Sequence, residues 1–155
     1  MTDCMLLCFE EDTANATRIA SAAQMTLAAV QRHRFPDGEL KLRLPVKLPA
    51  RVALLRTLNN PDEKLVELLL VARSARELGV TQITLVAPYL AYMRQDMAFH
   101  PGEVVSQRVI GGFLASLFDA LITVDPHLHR VATLQQAVPV AQAVTLSGAP
   151  LLADL

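Results

Sequence analysis

Residues 51–87 read RVALLRTLNNPDEKLVELLLVARSARELGVTQITLVA, and this stretch decides the fold. Its apolar pattern predicts a strand over Arg51–Thr57, a helix from Asn60 to about Leu78, and a second strand over Ile83–Ala87. The second strand is apolar without a break, which is typical of a parallel strand buried on both faces. The stretch therefore predicts a strand–helix–strand unit of an α/β protein.

The start of the predicted helix carries a capping pattern. Asn60 can cap the helix, Pro61 suits its first position, and the Glu63 side chain can reach back to close a capping box. Gly79 is expected to end the helix. Its core-facing stripe is predicted to be Leu65, Leu68, Leu69 and Ala72.

The flanking segments continue the alternation of strands and helices. We predict strands over Cys4–Phe9, Met25–Val30, Leu40–Leu44 and Leu121–Val124, and helices over Thr13–Gln24 and Glu103–Phe118. The last helix contains Gly111–Gly112, which indicates close backbone packing, and has apolar residues at helical spacing at Val105, Val109, Phe113 and Leu117. The chain as a whole is predicted to be an α/β domain with a largely parallel sheet flanked by helices.

Composition bounds the function. The 155 residues amount to about one domain, and 52% of them are apolar, which excludes a disordered chain. The net charge of -1 gives no electrostatic footprint for nucleic acid or an anionic membrane. No apolar run reaches the roughly 18 residues of a membrane span. The first ten residues contain two acids and no Lys or Arg, unlike a signal peptide, so we expect a cytoplasmic protein.

Two cysteines, Cys4 and Cys8, lie in the first predicted strand. At that spacing they share a face of the strand but are too far apart to bridge. We interpret them as small core residues of a protein in a reducing compartment.

The carboxyl-terminal stretch, residues 131–155, has a single charged residue, Asp154. Such an uncharged segment needs cover from another surface, and a helix is expected to begin near its end. Either the chain lacks its natural continuation or it pairs through its C-terminus. Together with the apolar excess, this predicts a homo-oligomer.

The sequence has no Gly-rich phosphate loop, paired C-x-x-C or H-E-x-x-H. The remaining candidates for binding or catalytic residues lie in three polar segments. The first is FPDGE at 35–39. If it is extended, Asp37 and Glu39 project to one side beside Phe35 and can hold a polar aromatic ligand such as a purine nucleoside. The alternative is a surface turn, because Asp-Gly is a common turn pair.

The second segment, YLAYMRQD at 89–96, directly follows a buried strand, and ligands of open α/β sheets bind at the carboxyl ends of strands. Arg94 can stack on a base and neutralise phosphate, and the Gln95 amide can both donate and accept. The alternative is a solvated loop above packed tyrosines.

The third segment, DPHLH at 125–129, also follows a predicted strand. Asp125 and His127 can hold a metal ion or a phosphate. The alternative is a turn closed by Pro126, in which the histidines bond to backbone.

Together, in this order, the three segments resemble the F-x-D-G-E, P-Y-x-x-Y-x-R-Q-D and D-x-H motifs of the ribose-phosphate diphosphokinases, also called phosphoribosyl pyrophosphate synthetases. The resemblance implies a phosphoribosyltransferase-like N-terminal domain. It also implies transfer of the diphosphoryl group of Mg-ATP to the 1-hydroxyl of ribose 5-phosphate, with release of AMP.

The resemblance implies roles for seven residues. Arg94, Gln95 and Asp96 would hold ATP, and Phe35, Asp37 and Glu39 would reach ATP held by a neighbouring subunit. His127 would be catalytic and lie at the Mg²⁺ ion and the transferring phosphates.

The family's second domain supplies the ribose 5-phosphate loop, and this sequence has no such loop. We therefore expect residues 1–146 to form the N-terminal ATP-binding domain and 147–155 to begin a second domain that is missing. This chain alone is expected to be inactive or nearly so. The alternative is a non-catalytic family member that associates with an intact synthetase and regulates it.

Overall fold

A computed structural model describes residues 3–153 and confirms the predicted α/β architecture, with helices flanking a parallel sheet. The sheet has six strands in the order β2-β1-β5-β6-β7-β8, and every neighbouring pair is parallel. The strands are β1 (Cys4–Cys8), β2 (Thr26–Ala29), β5 (Arg51–Leu55), β6 (Gln82–Ala87), β7 (Ala120–Val124) and β8 (Gln142–Leu146). Two further strands, β3 (Gln31–Arg34) and β4 (Leu40–Arg43), form an antiparallel hairpin beside it.

Within residues 3–153, a 3₁₀ turn over Glu10–Asp12 precedes the first of five α-helices. The helices are α1 (Thr13–Ala23), α2 (Pro61–Glu77), α3 (Ser106–Leu117), α4 (Leu134–Ala137) and α5 (Ala149–Ala153). The segment α5 agrees with the helix expected near the chain's end.

The core is divided by the sheet into a large and a small part. Residues of α2 and α3, such as Leu68 and Leu114, pack with Leu7 and Leu54 in the large part. The small part lies against α1 and contains Leu6, Cys8, Ala16, Ala20, Ala53 and Leu55. Because β1 and β5 are covered on both faces, their residues form continuous apolar runs. Both cysteines are free, as expected.

The strands β3 and β8 were not predicted. All four residues of β3 are exposed and polar, so the sequence holds no apolar alternation there, and the strand forms because it pairs with β4. The strand β8 lies at the edge of the sheet, where Val144 and Leu146 are exposed.

The predicted capping box of α2 is wrong. Asn60 adopts a left-handed conformation with φ 48° and makes no side-chain cap, although Pro61 does open the helix. The Glu63 carboxylate does not reach back and instead pairs with Arg34 of the hairpin. Of the predicted stripe, Leu68 and Ala72 are buried, and Leu65 and Leu69 pack against the core from its margin.

The helix α3 begins three residues later than predicted, at Ser106. Val109, expected with the apolar residues of its inner face, is 60% exposed. The close packing predicted for the glycine pair holds for Gly111 alone, since a Cβ there would lie 1.9 Å from the carbonyl oxygen of Ala137. A Cβ on Gly112 would meet nothing within 4 Å.

Candidate functional site

The carboxyl ends of β6 and β7 lie side by side, because Ala87 pairs with Thr123. The loops that follow these strands carry two of the three predicted segments, and the Val124 amide donates to the Pro88 carbonyl at 3.3 Å where both loops begin. The parallel topology therefore brings Arg94 and His127 to the same edge of the sheet.

The loop after β6 is fastened to the start of α3 through its backbone. The Gln107 amide N–H donates to the Gln95 carbonyl at 3.2 Å, and the Gln107 side chain donates to the Met93 carbonyl at 3.2 Å. The Gln95 side chain donates to the Met97 carbonyl at 2.9 Å. The Arg94 side chain is exposed and forms no ion pair within residues 3–153, so its guanidinium is available to a ligand.

The Asp96 side chain points into the protein, unlike that of Arg94. It is 1% exposed, and one carboxylate oxygen accepts a hydrogen bond from Arg130 Nη1 at 2.9 Å. The other oxygen has no hydrogen-bond partner in the described part of the chain. Asp96 also lines a cavity of about 390 Å³ behind the loop, beside Gln107 and Arg108.

The loop after β7 presents His127 and His129 to solvent. Their rings meet edge to face, with centroids 4.0 Å apart. Neither imidazole hydrogen-bonds to the described backbone, in contrast to the turn interpretation of this segment. Asp125 is engaged, since its carboxylate accepts from the Gly148 amide at 2.8 Å.

A magnesium ion would find few protein ligands here. Within residues 3–153, no group of three or more His, Cys, Asp or Glu side chains is arranged to hold a metal ion. Mg²⁺ prefers oxygen ligands, whereas this loop exposes the imidazoles of His127 and His129 and a single carboxylate, Asp125, which already accepts from the Gly148 amide. The residues present therefore do not fit a protein-held Mg²⁺ site, and an ion there would arrive on the phosphates of a nucleotide.

The first segment, FPDGE at 35–39, forms the turn of the β3–β4 hairpin, so the extended arrangement of Asp37 and Glu39 is wrong. The Gly38 amide donates to the Phe35 carbonyl at 2.9 Å, and the Asp37 carboxylate accepts from the Glu39 amide at 3.1 Å. Gly38 has φ 93°, a conformation that favours glycine. Phe35 is 39% exposed at the base of this turn. Within residues 3–153, no hydrogen bond or ion pair joins the turn to the loops after β6 and β7.

The hairpin is held to α2 by its arginines. Arg34 pairs with Glu63 and donates to the Gly38 carbonyl at 3.0 Å. Arg32 donates to the buried Glu67 carboxylate at 2.6 Å and to Glu11 at 3.0 Å.

A buried charge cluster lies where the sheet order reverses, between β1 and β5, and the motifs of the sequence did not predict it. Arg56 is 1% exposed and contacts Glu67 at 2.8 Å, Asp12 at 3.0 Å and Glu11 at 2.9 Å. Its guanidinium also lies 4.4 Å from the centre of the Phe9 ring. The signal in the sequence was a glutamate between the apolar residues of α2, at Glu67.

The cluster fixes the charge of Glu11. Burial by itself raises the pKa of this carboxyl, but hydrogen bonds from its backbone and from Arg56 and Arg32 outweigh burial and lower the pKa to about 2. In open α/β sheets the crevice at this reversal point is the usual ligand site. Here the side chains of the cluster occupy the position between β1 and β5, and a cavity of about 420 Å³ lies beside them, lined by Phe9, Glu11 and Arg32 among others.

Backbone strain is concentrated at the same edge. Three of the four described non-glycine residues with positive φ lie in loops that follow a parallel strand: Asn60 after β5, Tyr92 after β6 and Asp125 after β7. The Tyr92 hydroxyl donates to Asp62, and this hydrogen bond raises the pKa of the phenol. Non-glycine residues keep a left-handed backbone conformation only where the surrounding structure holds them in it, and they cluster at functional sites.

A family model of the N-terminal domain of ribose phosphate pyrophosphokinase matches residues 4–117. The chain belongs to this family. The ribose-phosphate pyrophosphokinase of Methanopyrus kandleri is 39% identical over 132 residues, which are 84% of this chain and 45% of the relative. That of Halobacterium salinarum is 33% identical over 97% of this chain and 54% of the relative.

The likeness to a solved structure supports the fold. The crystal structure of phosphoribosylpyrophosphate synthetase from Mycobacterium smegmatis has a TM-score of 0.83, covers 97% of this chain and 50% of that one, and is 21% identical. The chain thus spans about half the length of the pyrophosphokinases it matches. The family match includes the hairpin turn and Arg94–Asp96 but ends before His127, which lies within the similarity to the Halobacterium salinarum relative.

Among the helices within residues 3–153, none has the length and apolar character needed to cross a membrane.

Proposed function

We propose that this chain provides the ATP half-site of a ribose-phosphate pyrophosphokinase. The reaction of the whole enzyme would move the diphosphoryl group of Mg-ATP to the 1-hydroxyl of ribose 5-phosphate, giving phosphoribosyl pyrophosphate and AMP. The observation that carries the proposal is the pair of loops after β6 and β7, which bring the free Arg94 side chain and the exposed His127 to one edge of the sheet.

Each residue would act by binding or positioning, since phosphoryl-group transfer depends mainly on placement and charge neutralisation. The Arg94 guanidinium would stack on adenine, and Gln95 would hydrogen-bond to the nucleotide. His127 would donate to the transferring phosphates, which carry the Mg²⁺ ion. Asp96 would contribute to ATP binding from beneath the loop, because its side chain is buried.

The hairpin turn would serve a second subunit. Phe35 is partly exposed, and no described contact joins Asp37 and Glu39 to the loops of their own chain. These three side chains are therefore not held by the loops after β6 and β7, and they would reach the adenine and ribose of ATP held by a neighbour. A homo-oligomer is part of this proposal, supported by the exposed Val144 and Leu146 of β8. Light scattering tests it, and a clean monomer at high concentration would contradict it.

The acceptor half of the reaction lies outside this chain. The sequence has no ribose 5-phosphate loop, so the purified chain should release no AMP in the presence of ribose 5-phosphate. Steady AMP release by the chain alone would contradict this. We place the activity in the cytoplasm, where ATP and sugar phosphates are available.

Isothermal calorimetry with Mg-ATP tests the half-site directly. We expect Arg94→Ala to weaken binding at least about tenfold, because a stacked cation on a desolvated ring is worth up to about 2 kcal/mol and phosphate attraction adds to it. Arg73→Ala, on the exposed side of α2, is the matched control and should bind as the wild type does. Wild-type protein that binds no Mg-ATP, or equal binding by both variants, would refute the proposal and favour the non-catalytic regulatory partner.

A further inference from the structure

Two loops carry the proposed ATP residues, and one ion pair joins them beyond the strand ends. We propose that Asp96 and Arg130 form a clasp that fixes the Arg94–Gln95 loop relative to the His127 loop. The effect of this clasp on ATP binding rests on the proposed function, whereas the link between the two loops can be tested without nucleotide.

The Asp96–Arg130 pair differs from a surface salt bridge because one of its side chains is buried. Arg130 Nη1 lies 2.9 Å from a carboxylate oxygen of Asp96, whose side chain is 1% exposed while that of Arg130 is 50% exposed. An ion pair with one buried member is screened less than an exposed pair. The Arg130 guanidinium also lies 5.7 Å from the centre of the Phe99 ring, a second contact with the same loop.

Arg130 is the sole described side-chain or backbone donor to this carboxylate. The second oxygen of Asp96 is buried and has no partner within residues 3–153, and Asp96 is one of the residues that line the cavity of about 390 Å³. Removal of Arg130 would leave a buried charge without compensation, and such a charge moves toward water if its backbone permits. The loop of Asp96 would therefore shift when the clasp is lost.

The positions along the chain make the clasp relevant to the site. Asp96 is the residue next to Gln95, and Arg130 is three residues from His127. The other described hydrogen bond between the two loops, from Val124 to Pro88, lies at the strand ends, six residues before Arg94. The Gln107 hydrogen bonds tie the Arg94 loop to α3, whereas Asp96 and Arg130 tie it to the His127 loop, so the distance between the Arg94 and His127 side chains depends on this ion pair as well as on the sheet and α3. A nucleotide that contacts both side chains needs this distance to be set before binding.

The first test follows backbone motion in the free protein by hydrogen–deuterium exchange. We expect Arg130→Ala to accelerate exchange in residues 93–98, which belong to the other loop, while the strands β6 and β7 keep their protection. Arg130→Lys keeps the charge and should restore most of the protection. Unchanged exchange in residues 93–98 of Arg130→Ala would overturn the clasp.

The second test is a double-mutant cycle read by Mg-ATP calorimetry. We expect Arg130→Ala and Asp96→Asn each to weaken binding about tenfold, and the double variant to be no weaker than either, because both remove one interaction. Additive losses would overturn the clasp, as would a fall in thermal stability with unchanged affinity. Should the wild type bind no Mg-ATP, the proposed function fails, and the exchange experiment still decides whether the clasp exists.

Discussion

Arg56 and Glu67 form an ion pair in which both side chains are almost completely excluded from water, with Arg56 Nε 2.8 Å from a Glu67 oxygen. Arg56 directly follows β5, and Glu67 lies in the middle of α2. The same glutamate also accepts from Arg32 of β3, so one buried carboxylate joins the sheet, a helix and the hairpin.

Neutralising Glu67 should strongly lower the stability of the fold. We expect Glu67→Gln to lower the free energy of unfolding by about 3–5 kcal/mol, because it leaves Arg56 as a buried charge with weaker compensation. Urea-induced unfolding followed by circular dichroism measures this. Glu77→Gln, on the exposed end of α2, is the control and should change stability by less than about 0.5 kcal/mol. A loss at Glu67 no larger than the control's would contradict the role of the cluster.

Stability should depend on acid pH through Glu11. The pKa of its carboxyl is about 2 in the folded protein and close to the ordinary 4.5 when unfolded, so the unfolded state takes up the proton first as the pH falls. The contribution of Glu11 is therefore complete above pH 4.5 and disappears as the pH falls to about 2.

We expect the stability difference between wild type and Glu11→Gln to shrink as the pH is lowered across this range. Thermal unfolding at a series of pH values measures it. The effect should also weaken at high salt, because Glu11 is partly exposed. A difference that stays constant from pH 5 to pH 2 would show that Glu11 is not paired in solution.

The two neighbouring glycines of α3 should respond oppositely to alanine. Gly111→Ala would place a Cβ against the Ala137 carbonyl oxygen, and we expect a loss of about 1–3 kcal/mol from overpacking. Gly112→Ala meets no atom and should gain about 0.5–1 kcal/mol from helix propensity. Chemical denaturation of both variants checks this, and equal effects would argue against the packing of α4 on α3.

The thiols should be slow to react in the native protein. Burial raises the pKa of both Cys4 and Cys8, so little thiolate is present at neutral pH. Because Cys8 is buried and Cys4 is partly exposed, a thiol reagent should modify Cys4 first. Rapid modification of both, at the rate seen in denaturant, would contradict this placement.

Prediction from sequence succeeded where apolar pattern and topology act together. The helix α2 and the strand β6 follow from an amphipathic run and a continuous apolar run, and adjacent parallel strands bring the loops of Arg94 and His127 to one edge. The pattern failed at β3, whose exposed polar residues are ordered by a partner strand.

The missed parts of the site depend on tertiary contacts. Asp96 and Arg130 are 34 residues apart, and nothing local pairs them. Glu63 has the spacing of a capping box but is taken by Arg34 from the hairpin, since a charged partner competes with a local backbone N–H. The Asp-Gly pair in the first segment indicated the surface turn that forms, and the extended arrangement is inconsistent with that local preference.

The left-handed residues limit how this protein can vary. Tyr92 and Asp125 each adopt a backbone conformation that β-branched side chains avoid. Each side chain also makes a hydrogen bond: the Tyr92 hydroxyl donates to Asp62, and the Asp125 carboxylate accepts from the Gly148 amide. Sequence drift should therefore be narrow at these two positions, in the loops that we propose bind the nucleotide.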